Sequence, residues 1–267
     1  MLRWTVPLLV ALLLAGDATA QQGRYEGSRP HSVARIRDRD GVAVTRIEAK
    51  VRRVGSQLEV RVVLDAHLRR GTSRAAALHV LSCTGTTDYP DCPNRSPRRI
   101  ALAPQSRTTA ATVRVAVPPP KTDAIVVALT RPPRYKHGSD PTTYAYLQIQ
   151  GEGWRGRGAG RSYGAVVEPL DGFDVHELHF DGIGLGPKEA RAAVMWSVSS
   201  EEPARVRWDC TVGPCGDSFR LKGDGRQNGE GPLDRTEFTT EGSPTLGMVG
   251  MAGNRRLFSV RVPTPVR

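Results

Sequence analysis

Hydrophobic and polar residues alternate along most of the chain after residue 41. The clearest example is residues 58–64 (LEVRVVL), whose period of two is typical of a strand with one buried face. A second apolar run, over 47–51, precedes it, and Gly55-Ser56 forms a turn signal between the two. We therefore predict that these runs form a β-hairpin.

Short runs of the same kind recur to the end of the chain and are separated by proline- and glycine-rich clusters. The predicted strands are Ala75–Ser82, Arg98–Ala103, Thr108–Val117, Ala124–Thr130, Thr143–Gln150, Ala165–Glu168, Val175–Asp181, Ala190–Ser199, Ala204–Cys210, Arg235–Thr240, Thr245–Met251 and Arg256–Val262. One short helix is predicted near Pro187–Arg191. Closely spaced strands without alternating helices indicate an all-β protein built as an antiparallel β-sandwich.

Composition divides the chain into segments. Residues 21–41 are polar, basic and aperiodic and are predicted to be a flexible arm, and residues 151–164 (GEGWRGRGAGRSYG) are predicted to be a Gly/Arg-rich linker. The flanking segments, 42–150 and 165–267, share a weak order of strands and cysteine pairs. We expect two tandem sandwiches similar in pattern to immunoglobulin-like or fibronectin-III-like domains, although the Cys…Trp…Cys spacing of true immunoglobulin domains is absent.

The first twenty residues have the features of a cleavable signal peptide. Arg3 precedes a ten-residue apolar run over 6–15, and Ala18 and Ala20 occupy the small-residue positions before mature Gln21. A helix of that run spans about 15 Å, roughly half of a bilayer's hydrocarbon core, so we predict no transmembrane anchor there. The sequence therefore predicts a secreted or extracytoplasmic protein.

Four cysteines form two close pairs, Cys83 with Cys92 and Cys210 with Cys215. In an exported protein an even count indicates disulfides, and each pair flanks a turn-rich loop whose ends can meet. Local pairing is favoured over the two other connectivities, and each bridge would contribute about 2–3 kcal/mol. The alternative is a zinc site, but neither spacing is the C-x2-C of structural zinc sites. We predict no metal and no cofactor.

The formal net charge of +11 creates a positive field that attracts anionic polymers and membranes. The Gly/Arg-rich segment adds a local candidate, because arginines beside aromatic rings combine charge with stacking. Its candidate anion-binding residues are Trp154, Arg155, Arg157, Arg161 and Tyr163. Trp154 is expected to be exposed, whereas Trp196 and Trp208 are expected in the core. The partners considered are an acidic envelope glycan, a phospholipid surface, extracellular nucleic acid or a protein.

Catalytic motifs are weak. Gly160–Gly164 matches the G-x-S-x-G nucleophile elbow around Ser162, but no crossover helices support it. His176 and His179 resemble a shortened H-E-x-x-H motif, yet in a strand these positions should face opposite sides of the sheet. A non-catalytic binding or structural protein is therefore the leading hypothesis. The alternatives are an extracellular hydrolase that uses Ser162 or a His176/His179 metal centre, and a protease inhibitor that presents loop 84–91.

Overall fold

The computed structural model describes the chain from residue 29 to residue 265, with gaps. The described ranges are 29–69, 74–87, 90–92, 98–102, 107–116, 122–131, 143–155, 158–186, 189–210, 218–223, 225–230, 237–239 and 245–265. The predicted signal peptide and residues 21–28 of the predicted arm lie outside these ranges. Within them, no helix is long and apolar enough to cross a membrane.

Strands make up nearly all of the described residues. In the first half they are β1 (His31–Arg37), β2 (Val42–Val54), β3 (Gln57–Leu68), β4 (Arg74–Cys83), β5 (Arg98–Leu102), β6 (Arg107–Ala116), β7 (Ala124–Thr130) and β8 (Thr143–Gln150). In the second half they are β9 (Ser162–Val167), β10 (Phe173–Gly184), β11 (Glu189–Ser200), β12 (Ala204–Cys210), β13 (Phe219–Leu221), β14 (Gly225–Glu230), β15 (Glu237–Thr239), β16 (Thr245–Ala252) and β17 (Arg255–Pro263). The all-β prediction is confirmed. The helix predicted near Pro187–Arg191 is wrong from Glu189 onward, where β11 begins; residues 187–188 lie outside the described ranges.

The strands form two antiparallel sheets packed face to face. Sheet I has the order β14-β11-β10-β1-β8-β7-β4-β5, with β15 also paired to β11. Sheet II has the order β13-β12-β16-β17-β9-β2-β3-β6. The inward faces of both sheets build one apolar core that includes Ile47, Leu147, Phe180 and Phe258. The two faces turned away from this core are called the outer faces below.

Both sheets continue across the middle of the chain. In sheet I, β1 pairs with β10, and in sheet II, β2 pairs with β9. Each half of the chain contributes a contiguous block of strands to each sheet, so the halves lie side by side and share both sheets. We call the β1–β10 and β2–β9 pairings the two seams.

The seams correct two predictions from composition. Residues 31–37 of the predicted flexible arm form β1, which lies between β8 and β10 in sheet I. The predicted linker contains a short 3-10 turn at Gly151–Gly153, and its last residues, from Ser162, form the start of β9. The low hydrophobicity of residues 31–37 concealed β1, because the charged side chains of Arg35 and Arg37 lie on the outer face of a strand whose backbone pairs on both sides.

The Cys83–Cys92 disulfide is present, which confirms the first predicted pair. Cys210 is also disulfide-bonded, and its predicted partner Cys215 lies outside the described residues. The loop that the first bridge closes folds back onto sheet I. The Gln148 side chain donates to the carbonyl of Thr87 at 2.9 Å, and the backbone amide of His31 donates to the carbonyl of Thr86 at 2.7 Å.

Candidate anion-binding groove

A groove of about 660 Å³ crosses the outer face of sheet II, over strands β17, β9, β2 and β3. Its floor is made of small side chains, because the outward positions of β9 and β17 include Ser162, Gly164 and Ser259. Longer side chains of β2 and β17 rise on both sides of this floor. A concave site lined by a few convergent polar groups is the usual form of a ligand-binding site.

Gly164 is required at the centre of this floor by the closeness of β2. A Cβ atom on Gly164 would lie 2.0 Å from the backbone oxygen of Ile47 and 2.7 Å from the Cα atom of Glu48. The absence of a side chain at Gly164 therefore allows β9 to pair closely with β2 at the second seam. It also leaves a gap between the side chains of Arg261 and Glu48, the residues that pair with Gly164 on either side.

Arginines and carboxylates both line the groove. The Arg46 Nε atom donates to Glu48 Oε2 at 2.6 Å, and Arg256 Nη1 lies 3.9 Å from Glu168 Oε1. Arg261 is exposed and has no ion-pair partner among the described residues. The groove therefore combines two paired arginines with one whose guanidinium can donate hydrogen bonds to an acidic group of a ligand.

The groove lies within a larger basic surface. The outward-facing basic residues of sheet II and its adjoining turn are Arg46, Lys50, Arg52, Arg61, Arg114, Arg161, Arg205, Arg207, Arg220, Arg256 and Arg261. The outward-facing acidic residues there are Glu48, Glu59, Asp65, Glu168 and Asp209. We call this set the basic face. Its excess of positive charge accounts for a large part of the net charge of the chain.

The predicted Gly/Arg-rich site divides between the interior and the surface. Trp154 is only 6% exposed and Tyr163 is fully buried, so the expectation of an exposed Trp154 is wrong and neither ring can stack on a ligand at the surface. Arg155 is exposed, and its Nη2 atom donates to the carbonyl of Thr122 at 3.0 Å. Arg161 is exposed and belongs to the basic face, and Arg157 lies outside the described residues. Trp196 and Trp208 are buried, as expected.

The hydrolase alternative receives no support from the geometry. Ser162 lies on the outer face of sheet II, whereas His176 and His179 are on β10 of sheet I and turn to the opposite outer face. Two packed sheets are about 10 Å apart, so side chains on opposite outer faces cannot share a proton.

The side chains of His176 and His179 do not have the predicted orientations. A β-bulge between Val175 and Glu177 adds a residue to β10, so that His176 faces the same side as His179. His176 Nε2 lies 2.8 Å from Ser199 Oγ, and Nδ1 lies 3.7 Å from Asp38 Oδ2. The prediction that the two rings face opposite sides is therefore wrong. Even so, the described residues contain no group of three or more side chains arranged to hold a metal.

His179 has a distinct electrostatic environment at the first seam. Both of its ring nitrogens are shielded from solvent and have no hydrogen-bond partner within the part of the chain that the structure describes. Burial, together with the charges of Arg37 and His31, lowers the pKa of His179 to about 4. The neutral ring is therefore the form that the folded protein accommodates.

This shift predicts a loss of stability in mild acid. Between about pH 6.5 and pH 4 the unfolded chain binds a proton at residue 179 that the folded chain does not, so the free energy of unfolding falls as the pH falls. His179→Phe, which cannot be protonated, should reduce this loss by about 3 kcal/mol across the window. Chemical denaturation at a series of pH values measures it. Met195→Leu, at the position of β11 that pairs with His179, is the control and should keep the wild-type pH dependence. If the free energy of unfolding changed equally with pH in all three proteins, His179 would not be the group responsible.

No known family model matches this sequence, and no curated protein shows significant similarity to it. Function is therefore inferred from the chemistry of the described residues.

Proposed function

We propose that the mature chain is a secreted or extracytoplasmic, non-catalytic binding protein that holds an anionic polymer on the basic face of sheet II. The carrying observation is the excess of exposed arginines on that face, together with the groove that crosses it. Export is supported by the signal-peptide pattern of residues 1–20 and by the Cys83–Cys92 disulfide, which is typical of an oxidising compartment.

The charges on the other side of the body are arranged differently. On and beside the outer face of sheet I, Glu177 binds both Arg35 and Arg37, and Arg69 lies between Asp38 and Asp174. Because these opposite charges lie in contact, their electrostatic potentials largely cancel at a distance, and they attract an approaching anion only weakly. A polyanion should therefore be attracted to sheet II, and its affinity should fall steeply with salt.

Charge reversal on the basic face tests this function. The double variant Arg205→Glu/Arg207→Glu on β12 should weaken binding of the full mature chain to heparin about tenfold at low salt, because two positive charges are replaced by two negative ones and the net charge of the face falls by four. Arg39→Glu/Arg131→Glu is the matched control, since both are exposed arginines outside the basic face. Affinity is measured by titration at several salt concentrations. A heparin affinity that does not change with salt concentration, or an equal loss of heparin affinity in the two double variants, would contradict the proposal.

The division into two immunoglobulin-like or fibronectin-III-like units, one in each half, also remains a proposal. It is supported by the contiguous block of strands that each half contributes to both sheets. The hydrogen bonds of the two seams oppose independent unfolding. Calorimetry of the intact chain distinguishes the cases, because two resolved transitions indicate two units and one transition indicates a single cooperative body.

The described part of loop 84–91 gives no support to the protease-inhibitor alternative, because an inhibitory loop must be presented to a protease. Its backbone is held to the protein through Thr86, Thr87 and Gly85, whose amide donates to Asp123 Oδ2 at 3.0 Å. Inhibition of a protease panel by the intact chain, lost on reduction, would revive it.

A further inference from the structure

The gap above Gly164 lies between opposite kinds of polar group. Arg261 pairs with Gly164 on β9, and Glu48 pairs with Gly164 from the other side. Neighbouring strands are about 4.8 Å apart, so the backbones of Arg261 and Glu48 are separated by roughly 10 Å, and Gly164 contributes no side chain between them. That width suits one ring of a polymer lying across the strands.

Hydroxyl groups complete the rim of this gap. Ser162 lies two residues before Gly164 on the same outward face of β9, and Ser259 lies two residues before Arg261 on β17. Both hydroxyls can donate and accept hydrogen bonds. Because Arg46 already binds Glu48, Arg261 is the guanidinium best able to take up a new anion.

The mixture of groups distinguishes between classes of polyanion. Single-stranded nucleic acid is usually held by aromatic rings on which bases stack, and no Trp, Tyr or Phe is among the described residues that line the groove. The carboxylates of Glu48 and Glu168 would repel a dense run of phosphates. The same carboxylates can accept hydrogen bonds from the hydroxyls of a sugar.

From these observations we infer that the gap above Gly164 is a subsite for one uronate unit of an acidic glycan. The carboxylate of the sugar binds Arg261, and its hydroxyls bind Glu48, Ser162 and Ser259. This inference rests on the proposed function and adds to it the class of ligand and the residue that selects it. Arginine suits the role because its planar fork matches a carboxylate with two parallel hydrogen bonds.

The test compares two exposed arginines of the same face. Arg261→Ala removes the proposed carboxylate ligand, whereas Arg61→Ala removes the same charge from β3 outside the groove. Binding of the full mature chain to an oligogalacturonate is measured by calorimetry at low salt. We expect about tenfold weaker binding for Arg261→Ala and less than about twofold for Arg61→Ala, since loss of a charge-assisted hydrogen bond exceeds loss of a distant charge. Arg261→Lys, which keeps the charge but not the fork, should fall between wild type and Arg261→Ala.

Three further probes make the outcomes distinct. Polyphosphate and a single-stranded oligonucleotide should respond equally to Arg261→Ala and Arg61→Ala, and a neutral oligosaccharide should not bind. Equal effects of the two variants on oligogalacturonate would overturn the subsite while leaving polyanion binding intact. A selective effect of Arg261→Ala on the oligonucleotide would overturn the glycan assignment in favour of nucleic acid. Failure of wild type to bind any polyanion would overturn the proposed function itself. Circular dichroism and thermal unfolding of each variant check that the fold is kept.

Discussion

Glu177→Gln is expected to lower the free energy of unfolding by about 2–3 kcal/mol. One oxygen of Glu177, Oε1, accepts hydrogen bonds from the Nη2 atoms of both Arg35 at 3.0 Å and Arg37 at 2.8 Å. The side chain of Arg35 is only 9% exposed, so loss of the carboxylate charge leaves a guanidinium with little water to replace it. The estimate lies below that for a fully buried pair because the Glu177 side chain is 23% exposed.

Glu59→Gln is the matched control for this prediction. Glu59 also binds two arginines, Arg52 and Arg114, but their side chains are 62% and 61% exposed. Water can hydrate both guanidinium groups there, although the Glu59 side chain is only 13% exposed, so the free energy of unfolding should change by less than about 1 kcal/mol. Urea denaturation of both variants and wild type gives the comparison. Equal losses would mean that the first seam does not depend on the Glu177 charge.

Gly164→Ala is expected to lower the free energy of unfolding by more than about 4 kcal/mol or to prevent folding. The added Cβ would lie 2.0 Å from the Ile47 oxygen, which is backbone and cannot rotate away. Relief requires β9 to separate from β2, and that separation opens the second seam. Soluble yield, the circular dichroism spectrum and the urea midpoint report the outcome.

Gly186→Ala provides the control for an added methyl group. A Cβ atom on Gly186 would lie in open space, so the free energy of unfolding of the Gly186→Ala variant should remain within about 0.5 kcal/mol of wild type. A stable Gly164→Ala protein with wild-type unfolding would show that β9 and β2 are not in close contact, and the groove above them would then lack its floor.

Several elements could be read directly from the sequence. The predicted bounds of β7, β8 and β12 match the structure, because each has an apolar or alternating run between clear turn signals. The Cys83–Cys92 bridge followed from its short loop. The count of charged residues identified the basic character of the chain, but not where on the surface the charge would collect.

Other elements could not be read in this way. The sequence of β1 (HSVARIR) appears basic because its outward positions carry His31, Arg35 and Arg37, whose environment is supplied by β8 and β10 from far along the chain. Strand β14 (GRQNGE) has no apolar alternation at all. Trp154 seemed exposed because glycines and arginines surround it, yet its ring packs against the main core.

The groove illustrates the same limit. Arg46, Gly164 and Arg261 are far apart in the sequence, and no motif contains more than one of them. They meet because β2, β9 and β17 are neighbours in sheet II. The Ser162 and His176/His179 motifs are close in sequence, but the sheets separate them onto opposite faces.

The amino-acid sequence by itself therefore determined that the chain is all β, where most strands lie, and which of their side chains point inward. Only the tertiary structure decided which strands are neighbours, and with that the two seams, the basic face and the groove. The physical reason is that successive side chains of a strand point alternately to the core and to the solvent. Their polarity therefore alternates along the strand, and this alternation is visible in the sequence. Strand pairing, in contrast, depends on backbone hydrogen bonds that nearly every residue type can make, and on contacts between distant parts of the chain.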